Sequence, residues 1–236
     1  MFLKAAAILA SVAIIALALS GPGTRWGWWD FRIGLLLFAA AGLIGLLAAV
    51  TGMIARRGSL AGSQSARLAD LAIFAGVVSL ALPLYGLVSA RRVPRIHDIT
   101  TSIDDPPRFR AALAARGSHS NPVAEAIAPD VAQQQRDGYP TLQPLVVSLP
   151  PDQALDRAVE VAQSLRWKII AVDRQADTLE ATATTAWFGF RDDVVVRIRP
   201  TPGGSRVDVR STSRVGVSDA GVNAARIRRF LRLMQR

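Results

Sequence analysis

The chain has no cysteine. Disulfides, thiolate nucleophiles and cysteine-based metal sites are therefore excluded, and the redox compartment is left open. It has two histidines, His97 and His119, so nucleophilic catalysis is poorly provisioned. No Gly-rich phosphate loop, Gly-x-Ser-x-Gly elbow or dinucleotide fingerprint occurs. Lysine is nearly missing too, with Lys4 and Lys168 alone, and arginine supplies almost all of a net charge of +10. That bias fits a GC-rich bacterial genome at least as well as a chemical need for guanidinium. What the chain does have is apolar residues, 50% of its 236, and they crowd into the first 90 positions.

Three apolar runs lie there. Residues 2–20, FLKAAAILASVAIIALALS, form the first, and Gly21-Pro22-Gly23 is expected to end it. A basic start and small residues near Ala18 also resemble a cleavable signal peptide. Because further spanning segments follow at once, an uncleaved anchor is the preferred reading. The second run, Phe31 to Ile54, carries no charge between Arg32 and Arg56, and the third runs from Leu71 to Ala90, with Pro83 expected to kink it. Trp26, Trp28 and Trp29 precede the second run, where indoles favour the headgroup region. Small residues recur four apart at Ala41, Gly45 and Ala49, and again at Ala72 and Gly76. Such spacing lets helices pack closely on one another, and a helix-mediated homo-oligomer is the second use for it. No ionisable residue sits in mid-span, which argues for an anchor over a pump or ion-coupled transporter. Orientation is finely balanced. Arg56, Arg57 and Arg67 place the following domain outside, Arg91, Arg92 and Arg95 argue the reverse, and Lys4 with the N-terminal amine tips the choice towards an extracytoplasmic domain.

Residues 91–142 are rich in Pro, Asp, Gln and Ser and read as an irregular connecting segment packed on the next domain, with one helical turn around Phe109–Ala115. Pro94-Arg-Ile-His-Asp-Ile-Thr-Thr101 followed by Asp104-Asp-Pro-Pro107 resembles a bacterial family, domain of unknown function 1499 (DUF1499). Tyr139-Pro140 with Leu142-Gln-Pro-Leu145, Trp187-Phe-Gly-Phe-Arg-Asp-Asp193 and SRVGVSDAGVNAARI from Ser213 to Ile227 are similar to the same family. The resemblance covers residues 93–236 and implies membrane association, with no activity to carry over. His97, Asp98, Asp104, Asp105 and His119 supply metal-type ligands in this segment, but their spacing matches no recognised ligand motif. Asp104-Asp-Pro-Pro107 is also a way to start a helix, and His97 and Asp98 would serve as hydrogen-bonding anchors for a loop lying along a sheet.

From Leu145 the pattern becomes regular. A short apolar strand at 145–149 leads through Pro150-Pro-Asp152 into a helix whose Ala154, Leu155, Ala158, Val161, Ala162 and Leu165 share one face. Trp167–Val172 is the next strand. Three more follow between Asp177 and Arg214, where Leu179, Ala181 and Ala183 alternate with Glu180, Thr182 and Thr184. Val194, Val196 and Ile198 likewise alternate with Asp193 and Arg197, and Val207 and Val209 with Asp208 and Arg210. Such alternation predicts one buried and one wet face, and one register open to the hairpin sets Arg197 opposite Asp208 as a cross-strand ion pair. Ser218 is expected to cap a last helix in which Ile227, Phe230, Leu231 and Met234 face the sheet and Arg228, Arg229, Arg232 and Arg236 face away. The fold class is α+β, with an antiparallel sheet of about five strands covered on one face by two helices and preceded by three transmembrane α-helices. The organisation expected is an anchor over 1–90, a connector over 91–142 and a soluble domain over 143–236.

On the wet face Arg191, Arg197, Arg199, Arg206 and Arg210 offer an anion-binding surface, and Trp187, Phe188 and Phe190 crowd one strand end. One or two of these rings must lie outside the core unless Gly189 makes a bulge. Single-stranded nucleic acid would need more interleaved aromatics and is disfavoured. The reading is a multi-pass protein of the bacterial inner membrane, without a cofactor. Its periplasmic domain binds or scaffolds anionic lipid headgroups or envelope proteins and does no chemistry. The alternative is a metal-dependent hydrolase built on His97, Asp98, Asp104 and Asp105.

Overall fold

Long apolar runs have nothing to compete with their own backbone hydrogen bonds, and three helices follow one another at the N-terminus: α1 (Phe2–Arg25), α2 (Phe31–Arg57) and α3 (Gln64–Arg91). The structure, a computed structural model, describes residues 1–236. Even α1, with 24 residues, exceeds the hydrocarbon thickness of about 30 Å at about 1.5 Å per residue. All three are long and apolar enough to cross a membrane, and the chain is membrane-anchored. The expected stop at Gly21-Pro22-Gly23 is corrected, because α1 runs through it to Arg25. Here the small residues serve packing: a Cβ on Gly23 would fall 2.0 Å from the Trp29 ring. The hydroxyls of Ser20 and Thr24 donate to the carbonyls of Leu17 and Ser20 around the proline. The small residues of α2 and α3 meet each other within the chain. A Cβ on Gly45 would lie 2.7 Å from the Gly76 carbonyl, and one on Gly76 would lie 2.5 Å from that of Gly45.

Met1–Arg91 with Ala186–Gly189 form one compact unit, and Arg92–Thr185 with Phe190–Arg236 form the other. Within the first, Phe188 meets Phe38 edge-on at 5.7 Å, and Arg25 donates to the Ala186 carbonyl at 2.8 Å.

The second unit is α+β. Its strands are β1 (Asp98–Thr100), β2 (Leu145–Val147), β3 (Lys168–Asp173), β4 (Thr178–Thr184), β5 (Arg191–Thr201) and β6 (Gly204–Ser213). They form one antiparallel sheet in the order β1-β6-β5-β4-β3, with β2 also paired to β6. The helices are α4 (Ala111–Ala114), α5 (Pro129–Gly138), α6 (Pro151–Ser164) and α7 (Val222–Met234). From Leu145 onward the order is the expected β-α-β-β-β-β-α. The sixth strand, β1, is three residues long, too short to show an alternation. Helix α5 is polar, and its buried Gln135 accepts from the Thr100 N–H at 3.0 Å and donates to the Thr100 carbonyl at 2.6 Å. That side chain thus satisfies part of the outer edge of β1.

One sheet face carries Leu179, Ala181, Ala183, Val194, Val196, Ile198, Val207 and Val209, packed under α6 and α7. Leu155, Ile227 and Phe230 are fully buried in this core, and each contributes about 1.5–3 kcal/mol of apolar burial. The Trp167 ring stacks on Phe230 at 5.2 Å. Between β5 and β6 the chain turns at Pro202-Gly203, where Gly203 takes φ +82°, a value that favours glycine. The start of α7 differs from the expected Ser218 cap. Asp219 does that work, accepting from the N–H groups of Gly221 and Asn223, both at 2.8 Å. Gly221, at φ +83°, delays the helix to Val222.

Candidate functional site

The sheet face opposite α6 and α7 is not wet. Glu180, Thr182, Asp193, Asp208 and Arg210 are all buried there, which corrects the solvated surface expected from the alternation. Residues from the 98–128 stretch close over it, and their polar groups complete those of the strands. Glu180 accepts from the backbone N–H groups of Arg110, Ala111 and Ala112 at 2.8–3.0 Å, holding the first turn of α4. Asp193 accepts from Thr182 at 2.8 Å, Arg116 at 2.7 Å and Arg214 at 2.8 Å. Burial pulls Arg116 below the usual guanidinium range, against the opposing effect of Asp193. Phe109, Ala112 and Val195 make a small apolar island among these charges.

The five expected binding arginines occupy different situations. Arg210, 1% exposed, is clamped bidentately by Asp98 at 2.6 and 3.0 Å, donates to the carbonyls of Ala124 and Pro107, and lies over the Phe109 ring. Arg197 and Arg206 share the buried carboxylate of Asp208 at 2.9 and 2.8 Å, with Arg199 at 3.5 Å. The anticipated pairing of Arg197 with Asp208 is the register observed. Asp105 bridges Arg199 and Arg197, and its hydrogen bond from Arg199 is the main reason its carboxyl is held below the usual range. Arg191 is exposed at the start of β5. Apart from Arg191, the charges of this sheet face are therefore closed into ion pairs and hydrogen bonds. In such pairs the cost of desolvation is comparable to the Coulomb gain, so they fix which segment lies where more than they add stability.

Trp187, Phe188 and Phe190 do not alternate across a strand. β4 ends at Thr184 and β5 begins at Arg191, so the rings lie on or beside the hairpin loop, which closes through Thr185 N–H to the Phe190 carbonyl at 2.8 Å. Gly189 takes φ +71° within it. The candidate metal ligands are likewise separated. Asp98 pairs with Arg210, Asp104 with Arg136, and Asp105 with Arg199 and Arg197. His97 contributes its backbone carbonyl, which accepts from Ser213 N–H at 2.9 Å and the Asn223 amide at 3.0 Å, and His119 is exposed. No three His, Asp or Glu side chains converge as an ion would require.

A groove of about 400 Å³ lies elsewhere, between the end of α6, the start of β3, the end of β4 and the first turns of α7. Arg166, Arg226, Arg229, Thr184, Thr185 and Trp167 are among the residues lining it, and none of its lining residues is acidic. Arg166 follows the C-cap of α6 at φ +58°, where Trp167 N–H closes back on the Ala162 carbonyl at 3.0 Å. Helices usually give this position to glycine, and a side chain there costs about 1 kcal/mol. Arg226 is held by Asp192 at 2.5 Å, by Ser211 at 3.1 Å and by Asn223. The sequence carried one signal for this groove, an arginine at a helix end where glycine is the norm.

No curated protein matches the chain. The family model described as Protein of unknown function (DUF1499) does, over residues 98–234. That span begins with β1 and its buried Asp98–Arg210 clamp, runs through the whole sheet and ends in α7, so both covered faces of the domain fall inside it. Matched over more than half of its length, this chain belongs to the DUF1499 family.

Proposed function

We propose that the chain is a multi-pass protein of the bacterial inner membrane whose α+β domain lies outside the cytoplasm and binds anionic envelope components, lipid headgroups first, without chemistry of its own. The observation that carries this reading is where the unpaired charge lies. Helix α7 holds Arg226, Arg228, Arg229 and Arg232 and no acidic residue, with Arg236 just beyond, so it lines up several cations on one element. Other exposed arginines of the domain, Arg92, Arg95, Arg110, Arg166 and Arg191, lie on other segments. On α7, Arg226 pairs with Asp192 and Arg228 lies over the Tyr139 ring. Arg229, Arg232 and Arg236 are exposed and make no ion pair. A cationic helix on a membrane-anchored domain meets anionic lipid before other partners.

Full-length protein in phosphatidylcholine nanodiscs is expected to capture phosphatidylglycerol vesicles at low salt and to ignore phosphatidylcholine vesicles. Arg229→Glu with Arg232→Glu is expected to abolish capture. Equal capture of both vesicle types would overturn the lipid reading. Paired reporters at Arg236, active only outside or only inside, test the orientation, and an inside signal would remove the extracytoplasmic placement.

A further inference from the structure

We infer that the groove between α6, β3, β4 and α7 is a binding site for a phosphate ester that carries an apolar group. This rests on the anion-binding reading and gives it a site and a ligand class.

Three guanidiniums line one groove without a carboxylate among its lining residues. Arg226 is the ordered member. Its partner Asp192 is buried behind it, and Ser211 and Asn223 hold the same guanidinium, so its fork is oriented before any ligand arrives. Asp192 neutralises that single charge. Arg166 and Arg229 are exposed and pair with no carboxylate, so the groove keeps an excess of positive charge. Arg166 adds a separate observation, since its left-handed backbone occupies a position that glycine would fill without strain. The chain keeps a guanidinium at the rim against that local preference.

Thr184 and Thr185 line the same groove, the Thr185 hydroxyl also accepting from the Phe190 N–H at 2.9 Å, and a tetrahedral phosphate can take donors from both hydroxyls and guanidiniums. A simple inorganic anion would need no more than this polar half. The other half is apolar, with Leu165, Ala225 and Val222, of which Val222 is 40% exposed, beside the Trp167 ring. At about 400 Å³ the groove is within the range of small-molecule sites. A charged head beside an apolar wall selects an amphiphilic ester over a free ion.

The test uses full-length protein in phosphatidylcholine nanodiscs, titrated calorimetrically with dihexanoyl phosphatidic acid, inorganic phosphate or dihexanoyl phosphatidylcholine. Phosphatidic acid is expected to bind, inorganic phosphate to bind more weakly, and phosphatidylcholine to give no heat above background. Arg166→Gly, which removes the guanidinium and suits the backbone, is expected to weaken phosphatidic acid binding about tenfold or more, as is Arg229→Gln. Undiminished binding in Arg166→Gly and Arg229→Gln would overturn the groove. Inorganic phosphate binding as tightly as the lipid would overturn the apolar half of the proposal. Loss of lipid titration with retained capture of phosphatidylglycerol vesicles would remove this site and leave the broader reading of α7 intact. Failure of both assays would remove the two together.

Discussion

The two faces of the sheet come from the same alternating strands, yet they are closed by opposite chemistry. Under α6 and α7, aliphatic side chains meet aliphatic and aromatic ones, and tolerance of small shifts is the rule. Under the 98–128 stretch, Asp193, Asp208, Glu180 and Arg210 each need named partners at hydrogen-bond distance. The first face supplies most of the apolar burial, and the second specifies which segment covers it. A sheet face that reads as polar is thus not always a solvated one: charge of both signs on alternate strand positions is also what a covered face needs, provided another segment brings the complements.

Three changes sharpen this contrast, in order of expected effect. Asp193→Ala removes the centre of the Arg116, Arg214 and Thr182 cluster and leaves two little-exposed guanidiniums unpaired, so a loss of about 3–5 kcal/mol is expected in urea unfolding of the domain. A loss near zero would mean that the face is effectively solvated. On the apolar face, burial pushes the Tyr139 phenol up to about 12, with Asp219 adding to the rise. An unfolded phenol releases its proton near 10.0, so this contribution is whole below that pH and is lost as pH rises through about 12. Ultraviolet titration of a Tyr85→Phe variant, in which Tyr139 is the remaining tyrosine, is expected to show phenolate appearing near 12, and a midpoint at the ordinary value would place the ring in water. Smallest of all, Arg174→Ala breaks an exposed pair with Asp156 at 2.6 Å and is expected to change stability by less than about 1 kcal/mol by the same unfolding measurement. A larger loss would show that surface pairs rival the buried ones.

Much of the architecture was legible from periodicity. The three apolar helices and the order of elements after Leu145 follow from spacing alone, because a period of two or 3.6 residues is a local property, while the Arg197–Asp208 pairing was one register the hairpin allowed and is the one observed. Strand β1 and helix α5 were not legible. Three residues carry no period, and a polar helix held by Gln135 against Thr100 shows its purpose only once the strand is in place. The start of α7 misled for a similar reason, since Ser218 and Asp219 are both good caps and the left-handed Gly221 decided between them.

The candidate site divides the same way. By itself the sequence determined that the chain is membrane-anchored, that its domain is an antiparallel α+β layer, and that arginine is the only abundant cation it can offer. Only the tertiary structure decided which arginines are free. Arg210 met Asp98 and Arg197 met Asp105, carboxylates brought from far along the chain, while Arg166, just past the end of α6, and Arg229, on α7, came to one groove. Alternation places a side chain on a face, but it carries no information about the segment that will lie across that face, and pairing depends on that segment.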